Sequence, residues 1–135
     1  MKKLLLILLC LPMIGFGQQT YVPDDNFEAY LEANGMGNGI LNDDSVLTAN
    51  ISTVSNLNVS SKNIADLTGI EDFIALSTLG CRYNQLTTLD LSNNTTLTGV
   101  DVESNQLTTL DISQSTALTN LNCIGNQLTT LDVSN

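Results

Sequence analysis

Asp101 and Glu103 are the residues whose types and spacing come closest to a catalytic pair. Residues two apart on a β-strand point to the same side, so their carboxyl groups would lie about 6.5 Å apart, within the range that glycoside hydrolases use. An open strand surface, however, gives no pocket to raise the pKa of either carboxyl group. Tyr83 is the sole aromatic residue after Phe73 that could stack on a sugar. We therefore predict solvated surface charges, no catalytic residues and no enzymatic activity.

The composition removes most other catalytic chemistry. The chain has no histidine and no tryptophan, which excludes Ser-His and Cys-His dyads and the commonest zinc ligand. Residues 38–44, NGILNDD, suggest a calcium loop at first sight, but the EF-hand spacing and its bidentate glutamate are missing. We predict a plain turn there, no metal site and no cofactor.

The N-terminus carries the pattern of an export signal. Lys2 and Lys3 precede an apolar run over residues 4–11, and residues 15–17 supply the small side chains that a signal peptidase requires. The run is shorter than the roughly 20 residues that a membrane-spanning helix needs. Residues 1–17 are therefore predicted to be a signal peptide, and the mature protein is expected to be secreted or displayed at the cell surface without membrane insertion.

Removal of this segment makes the chain more acidic. The full chain has 4 basic and 14 acidic residues and a net charge of −10, which the loss of Lys2 and Lys3 lowers to −12. Such a surface repels nucleic acid and anionic lipid. Both are excluded as predicted partners.

An internal repeat supplies the elements that must position these residues. Residues 76–96, 97–117 and 118–135 align as successive copies of one unit, with a period of 21, and fit L-x-x-L-x-L-x-x-N-x-L. A looser copy begins at Val54 and aligns only if this unit is longer than the others by a single position. This pattern indicates a leucine-rich-repeat solenoid, in which each unit forms one coil of a stack.

The two halves of each unit predict different structures. Alternating apolar residues in the first half predict a short strand, and stacking pairs these strands in parallel on one face. Asn84, Asn105 and Asn126 should turn the chain out of the strands and form a column that bonds the backbone of adjacent coils. The second half, Leu-Thr-Thr-Leu-Asp, disfavours helix, so an extended or irregular convex side is expected.

Two cysteines, Cys81 and Cys123, occupy the same slot in units two apart. Parallel stacking would place their Cα atoms about 9 to 10 Å apart, beyond the roughly 7 Å that a disulfide tolerates. We therefore predict two buried, unbridged thiols.

The segments divide the mature chain in two. Residues 18–53 are predicted to be an N-terminal capping segment with a short helix, in which Asp25 and Glu28 form a capping box. Helix is expected in this segment alone. Residues 54–135 are predicted to be the solenoid, with about three and a half coils. The repeat is interrupted at Asn135 without a capping sequence, which suggests a C-terminally truncated array.

The repeats resemble a known class. Residues 76–135 resemble the short bacterial leucine-rich repeats called IRREKO, which share the unit length and the nested motif ending in LDL. Residues 64–73, IADLTGIEDF, are similar to the convex side of internalin-type repeats. With the leader and the segment YVPDDNFE, the whole chain resembles secreted or surface-displayed repeat proteins of flavobacteria. The resemblance implies a binding role outside the cell.

Variation between the units indicates which surface binds. The second halves hardly change, whereas the exposed strand positions differ: Gly80, Asp101 and Asn122 in one row, and Arg82, Glu103 and Ile124 in the next. Solenoids commonly bind through this concave surface. We predict a non-catalytic module for protein–protein or adhesive binding to a protein or another extracellular macromolecule, with these ligand-binding residues: Arg82, Asp101, Glu103, Asn122 and Ile124.

Two alternatives stay open at this point. Neutral drift would also produce varied exposed residues, and the array would then be a structural spacer in a larger surface protein. Alternatively, the row formed by Asp90, Asp111 and Asp132 could bind ions, because like charges stacked about 4.8 Å apart repel one another.

Overall fold

The protein, described by a computed structural model over residues 17–132, consists of a small cap and a stack of coils. The elements in chain order are β1 (Gln19–Tyr21), α1 (Asp25–Ala33), β2 (Ser45–Leu47), α2 (Thr48–Ile51), β3 (Asn56–Asn58), a 3₁₀ helix (Ile70–Asp72), β4 (Thr78–Gly80), β5 (Gly99–Asp101) and β6 (Asn120–Asn122). Strands β1 and β2 pair antiparallel, and β3 to β6 form a parallel sheet in chain order. The predicted signal peptide lies outside the described residues except for Gly17.

The register of the parallel sheet confirms the leucine-rich-repeat solenoid and its unit lengths. Asn56 pairs with Thr78, whereas Thr78 pairs with Gly99 and Gly99 with Asn120. Paired residues of β3 and β4 are therefore 22 positions apart in the sequence, whereas those of β4 and β5 and of β5 and β6 are 21 positions apart. The central residue of each strand points into the coil, and three of them are at most 3% exposed: Leu57, Leu79 and Val100. Alternation therefore leaves the flanking strand residues on the outer, concave side.

The predicted asparagine column is confirmed. The side-chain amide of Asn105 donates to the carbonyl of Cys81 in the preceding coil at 3.0 Å and to that of Val102 in its own coil at 3.1 Å. Its Oδ1 accepts from the backbone N–H of Leu86 at 3.1 Å. The other two asparagines of the column form corresponding bonds. Each one thus fastens its coil to the coil before it.

The extra residue of the first coil lies just before Ile70. The backbone carbonyls of Ile70 and Leu91 accept equivalent turn hydrogen bonds, and these two residues are separated by the regular repeat length. The strands that precede them, β3 and β4, are separated by one residue more, so the extra residue lies between β3 and Ile70. Gly69 adopts the left-handed φ of 102° at this point, and the 3₁₀ helix follows it. The prediction that helix is confined to the capping segment is therefore wrong, because a second bond, from the backbone N–H of Asp72 to the carbonyl of Gly69 at 3.2 Å, extends the turn at Ile70 into a short helix.

The convex side is extended and irregular, as predicted. Asp90 and Asp111 form an isolated parallel bridge. Their Oδ1 atoms accept from the backbone N–H groups of Ser92 and Ser113, each at 2.9 Å. These backbone hydrogen bonds lower the pKa of both carboxyl groups, because they favour the charged form. Both acids are thus stabilised by their own turns.

The N-terminal segment contains the predicted helix, but a different residue caps it. Asp24 is the N-cap, and its Oδ1 accepts from two backbone N–H groups of the first turn at 3.0 Å each. The predicted capping box of Asp25 and Glu28 is wrong. Glu28 is buried, and its carboxylate accepts from the backbone N–H of Asp43 instead of reaching back to the start of the helix.

The cap is joined to the first coil by the same aspartate and by aromatic packing. The second oxygen of Asp24 accepts from the backbone N–H groups of Ala65 and Asp66 at 2.8 and 3.1 Å. The ring of Phe27 stacks on that of Phe73, with 6.4 Å between centroids. Helix α1 therefore covers the exposed end of the stack, where apolar residues would otherwise meet water.

Both cysteines of the repeats are free, which agrees with the predicted absence of a bridge. Cys81 is buried, and burial raises the pKa of its thiol to about 12. Cys123 is only half-buried, so the prediction that both are buried is wrong. Cys123 lies in the last coil of the described residues, so that, among these residues, a neighbouring coil packs on one side of it only.

Candidate binding surface

The predicted site residues lie on the strand face, by which we mean the outer side of β3 to β6 and the residues directly after each strand. The register places Gly80, Asp101 and Asn122 side by side. Backbone hydrogen bonds between neighbouring coils continue past the ends of the strands, so the residues that follow each strand are also aligned from coil to coil. A second row therefore follows the first: Arg82, Glu103 and Ile124. The five predicted residues thus form one continuous surface on three coils.

Glu103 is the centre of this surface. One oxygen of its carboxylate accepts from the hydroxyl of Tyr83 in the preceding coil, and the other accepts from the side-chain amide of Asn122 in the following coil, both at 3.0 Å. The hydrogen bond to Glu103 also raises the pKa of the Tyr83 hydroxyl, because it favours the protonated phenol. Three coils are therefore linked by side chains on the strand face.

Asp101 and Asn122 also have a local structural role. The Oδ1 atom of Asp101 accepts from the backbone N–H of Glu103 at 3.2 Å, and that of Asn122 accepts from the N–H of Ile124 at 3.3 Å. Asn58 holds the chain after β3 by the same bond. Side chains at this position thus help to turn the backbone at the end of the strand, whatever else they contact.

Tyr83 is a surface residue that the sequence reasoning did not include in the site. It is 51% exposed, and the guanidinium of Arg82 lies 5.6 Å from the centroid of its ring. Its φ of 56° is left-handed, as are those of Ser104 and Gly125 at the same slot of the next two coils. The available signal was an aromatic residue at a slot that otherwise holds serine or glycine.

The strand face is an open surface with a shallow depression. A shallow depression of about 430 Å³ runs along the sheet, lined mainly by small, amide and hydroxyl residues. Next to it lie the exposed Ile124, at 73%, and the Arg82 and Tyr83 pair. Both oxygens of Glu103 are already hydrogen-bonded, and Asp101 is on an open surface. The two carboxylates therefore lack the enclosed setting that acid–base catalysis uses.

A separate group of carboxylates lies in the cap and could hold a metal ion. Oxygens of Asp25, Glu28 and Asp44 lie within 4.8 Å of one another. Glu28 is 1% exposed, and burial raises the pKa of its carboxyl group. The group shares Asp44 with the loop over residues 38–44 that the sequence suggested, and within that loop the side-chain amide of Asn38 donates to the carboxylate of Asp43 at 3.0 Å. Sequence reasoning missed the group because it joins a helix to a distant loop.

No helix within residues 17–132 has the length and apolar character needed to cross a membrane.

The stacked parallel coils with a helical cap define a bacterial-type leucine-rich-repeat protein with an internalin-like fold. Among solved structures, the functional domain of internalin J from Listeria monocytogenes, described as including a cysteine ladder, superposes with a TM-score of 0.77 at 41% identity. The match covers 87% of this chain and 26% of that chain. In sequence, the chain is 43% identical to internalin J over 75 residues, which cover 56% of this chain and 8% of internalin J.

Two more distant structures share the fold. An internalin (inlF) of Listeria monocytogenes matches with a TM-score of 0.73 at 23% identity over 82% of this chain and 33% of its own. A structure of the CBM51-2 and INT domains of Clostridium perfringens ZmpB matches with a TM-score of 0.56 at 21% identity over 67% of this chain and 19% of its own. The chain thus spans a third or less of each protein. No family model matches it.

Proposed function

We propose that the mature chain is a non-catalytic, extracellular leucine-rich-repeat module that binds a protein through its strand face. The contact residues of this proposal are Arg82, Asp101, Glu103, Asn122 and Ile124. The observation that carries it is a contrast within the three repeats over residues 76–135: the Leu-Thr-Thr-Leu-Asp segment of the convex half is the same in each, whereas the outer strand residues change at every coil. Recognition needs such variety on one surface, and the stacking of coils does not.

The geometry of the strand face supports the proposal. The bonds from Tyr83 and Asn122 hold the carboxylate of Glu103 in place before any partner arrives. A preorganised surface loses less side-chain entropy on binding. Arginine and tyrosine are also the residue types that most often dominate interface energies, and Arg82 and Tyr83 are adjacent and exposed.

The comparisons support a functional domain more than a spacer. The matched region of internalin J is described as part of its functional domain. The convex aspartates, which could have indicated an ion-binding array, have backbone hydrogen bonds at Asp90 and Asp111 and need no ion there. We also retain the IRREKO-type assignment and the flavobacterial kinship as proposals, on the shared unit length and LDL ending.

Export is a further part of this proposal. We infer that residues 1–17 are removed after Gly17 and that the protein acts outside the cell or on its surface. Strand β1 begins at Gln19, and the carbonyl of Gln18 accepts from the backbone N–H of Thr48 at 2.9 Å. The folded cap therefore uses the chain from Gln18 onward, which is compatible with cleavage at this place. Intact-mass measurement of exported protein tests it, and a retained Lys2 and Lys3 would contradict it.

The binding proposal is tested with purified exported protein and a panel of extracellular host and matrix proteins, measured by surface plasmon resonance. Each hit is then measured with Arg82→Ala, Glu103→Ala and Ile124→Ala. The convex controls are Thr88→Ala and Asp111→Ala, which are exposed on the other side. At least one strand-face variant should lower affinity by about tenfold or more, as truncation of an interface hot spot does, and both controls should bind as the wild type.

Loss of binding in the convex controls, with the strand-face variants unaffected, would place recognition on the Thr/Asp side. Circular dichroism of each variant separates lost binding from lost folding.

A further inference from the structure

We propose that the strand face holds an extended polypeptide segment of its partner, with a lysine or arginine of that segment next to Asp101. This inference rests on the proposed protein-binding function and adds the chemistry of the bound segment. The segment lies in a trough, parallel to the strands and above β4 and β5. The trough is the depression of about 430 Å³, with Asn56 and Asn58 of β3 on one side, Asn120 and Asn122 of β6 on the other, and Gly80 and Gly99 between them.

Gly99 leaves the floor of the trough open although the fold does not require a glycine there. It lies between Thr78 and Asn120 in the register of the sheet, so the neighbouring coils carry side chains at the same position. A Cβ atom at Gly99 would lie 3.6 Å from Cγ2 of Thr78, an ordinary contact distance, and the φ of Gly99 is not left-handed. Glycine weakens a strand, and it often marks a place where a ligand or another backbone approaches closely. The open floor therefore indicates close approach by a bound chain.

The asparagine pairs on the two sides of the trough match the repeat of an extended chain. Asn56 and Asn58 are two residues apart on one strand, as are Asn120 and Asn122, so the members of each pair are about 6.5 Å apart on the same side of their strand. An extended polypeptide repeats the backbone groups of one edge at the same interval. The two outer strands are roughly 14 Å apart, so a chain above the middle of the sheet is roughly 7 Å from each of them. The amides can therefore reach its backbone from both sides.

These amides keep hydrogen-bonding capacity for a ligand. A primary amide has two N–H donors and an oxygen with two lone pairs. Asn58 accepts one bond from the backbone after β3, Asn120 donates one to the hydroxyl of the preceding threonine, and Asn122 donates one and accepts one. An extended segment has unpaired backbone groups that can use the remaining capacity. A helix pairs its own backbone groups, and the grooves that hold helices are apolar, so the trough favours an extended segment.

Asp101 supplies the charge that attracts a basic side chain. Among the described residues that line the trough, it is the one with a charged side chain. Its Oδ1 accepts from the backbone N–H of Glu103, and a carboxylate can accept further bonds at both oxygens. Arg82 lies outside this lining, with its guanidinium 5.6 Å from the ring centroid of Tyr83. Because the whole chain also carries a net charge of −10, its field favours a lysine or arginine of the bound segment at Asp101.

A glycan fits the trough less well than a peptide. No aromatic side chain is among the described residues that line the trough, so a sugar ring has no flat apolar surface there to stack on. The polar groups on both sides are asparagine amides, each with the donor and the acceptor that a peptide group pairs with. The lining therefore matches the backbone of a polypeptide.

Selection from a phage-displayed library of random, linear 12-residue peptides tests the proposal on purified exported protein. We expect enriched sequences that share a lysine or arginine at one position. Synthetic, fluorescein-labelled peptides of these sequences are then measured by fluorescence anisotropy. Exchange of the shared basic residue for alanine should lower affinity by about tenfold or more, as loss of an interface hot spot does. No enriched sequence, or enriched sequences without a shared basic residue, would overturn the proposal.

Four variants test whether the peptides bind in the trough. Gly99→Val fills its floor with a residue that strands favour, and it should lower peptide affinity by about tenfold or more. Asn120→Ala, at an exposed residue, should lower it about two- to tenfold and tests the trough if Gly99→Val does not fold. Asp101→Asn keeps the turn bond, which asparagine forms at this position in two other coils, and should abolish the preference for the basic residue over alanine. Asp111→Asn, on the convex side, is the matched control and should bind as the wild type.

The outcomes separate this inference from the proposed function. A protein partner whose affinity falls in Arg82→Ala or Glu103→Ala, but not in Gly99→Val, would support recognition by the strand face and overturn the trough as the site of an extended segment. Binding on a glycan array that Gly99→Val removes would replace the peptide by a sugar and overturn the proposal. Failure of every tested protein and peptide to bind would reject both.

Discussion

At the scale of single residues, a column of amides joins the coils. Each column asparagine uses both its amide donor and its oxygen acceptor on backbone groups, and at Asn84 and Asn105 these bonds are buried, where water cannot replace them. Asn105 bonds carbonyls in two coils and an N–H of the preceding one. Another residue type of similar size would leave at least one of these groups unpaired, which explains why the slot is asparagine in three successive coils.

Replacing Asn105 by Ala should destabilise the protein by about 1 to 3 kcal/mol for the buried groups it leaves without partners. Urea unfolding followed by circular dichroism measures the change. Asn93→Ala, at an exposed position on the convex side, is the matched control and should stay within about 0.5 kcal/mol of wild type. Equal effects at the two positions would contradict the structural role of the column.

The two thiols should differ in reactivity. Burial raises the pKa of Cys81 to about 12, so almost none of it is thiolate near neutral pH, whereas Cys123 is half-buried. Native protein should therefore react with a thiol reagent in two phases, with Cys123 modified first. Peptide mapping identifies each site, and both thiols should react at one rate in denaturant. Faster modification of Cys81, or a bridge between the two, would contradict this arrangement.

At the scale of elements, one aspartate sets the position of the cap. The carboxylate of Asp24 accepts four backbone N–H groups, two at the start of α1 and two in the first coil. It therefore begins the helix and also docks it. A capping residue in an isolated helix has only the first of these roles.

Asp24→Ala should lower the free energy of unfolding by about 0.5 to 2 kcal/mol, since it removes the cap of α1 together with two hydrogen bonds to exposed N–H groups of the first coil. Asp25→Ala is the control, because Asp25 is exposed and begins the helix without capping it. Both are measured by denaturant unfolding. A larger loss in Asp25→Ala would restore the capping box that the sequence suggested.

The turn at Gly69 joins the cap and the first coil through close packing. A Cβ atom there would lie 2.8 Å from the carbonyl oxygen of Tyr21 and 2.9 Å from Cγ2 of Val22, and φ is 102°. Gly69→Ala should therefore cost more than the roughly 1 to 3 kcal/mol of backbone strain alone. Gly35→Ala, where φ is 73° and the space is open, should show the strain without the clash. Thermal unfolding compares the two, and equal midpoints would contradict the contact.

The elements also show what sequence can and cannot predict here. The strands, their register and the column followed from spacing, because each coil repeats the same local contacts. The observed contacts of Glu28 and Tyr83 were not predicted, because they join parts of the chain that no repeat pattern relates. Glu28 meets Asp44 only when the loop folds onto α1, and Tyr83 meets Glu103 only across coils. The 3₁₀ helix was not predicted because the repeat spacing showed that the first coil is one residue longer without indicating which conformation the chain adopts at Gly69.

At the scale of the whole molecule, stability comes from a stack in which each coil covers the next. Buried leucines on the convex side, such as Leu89 at 9% exposure, close the coil behind the sheet. The strand face contributes little to this interior. Folding and the proposed recognition therefore depend on different residues of the same unit.

Leu89→Ala should accordingly cost about 2 to 5 kcal/mol, because it opens a cavity in the coil. Asp101→Ala should cost about 0 to 1 kcal/mol, since Asp101 is a half-buried residue of the open strand face and its turn hydrogen bond is long at 3.2 Å. Equilibrium unfolding in urea measures both. A severe loss in Asp101→Ala would mean that the strand face is needed for folding, and its variants could then not be used to measure binding.

The constant offset between β4, β5 and β6 has a consequence for the history of such chains. Since each coil presents to the next the same groups that it receives from the one before, a gene duplication that copies one whole unit adds a coil without creating a new kind of contact. Recombination between nearly identical units can thus lengthen or shorten the molecule while every junction stays native. Natural selection can then vary the reach of the outer surface, one row of about 4.8 Å at a time, independently of the amino acids that each row displays.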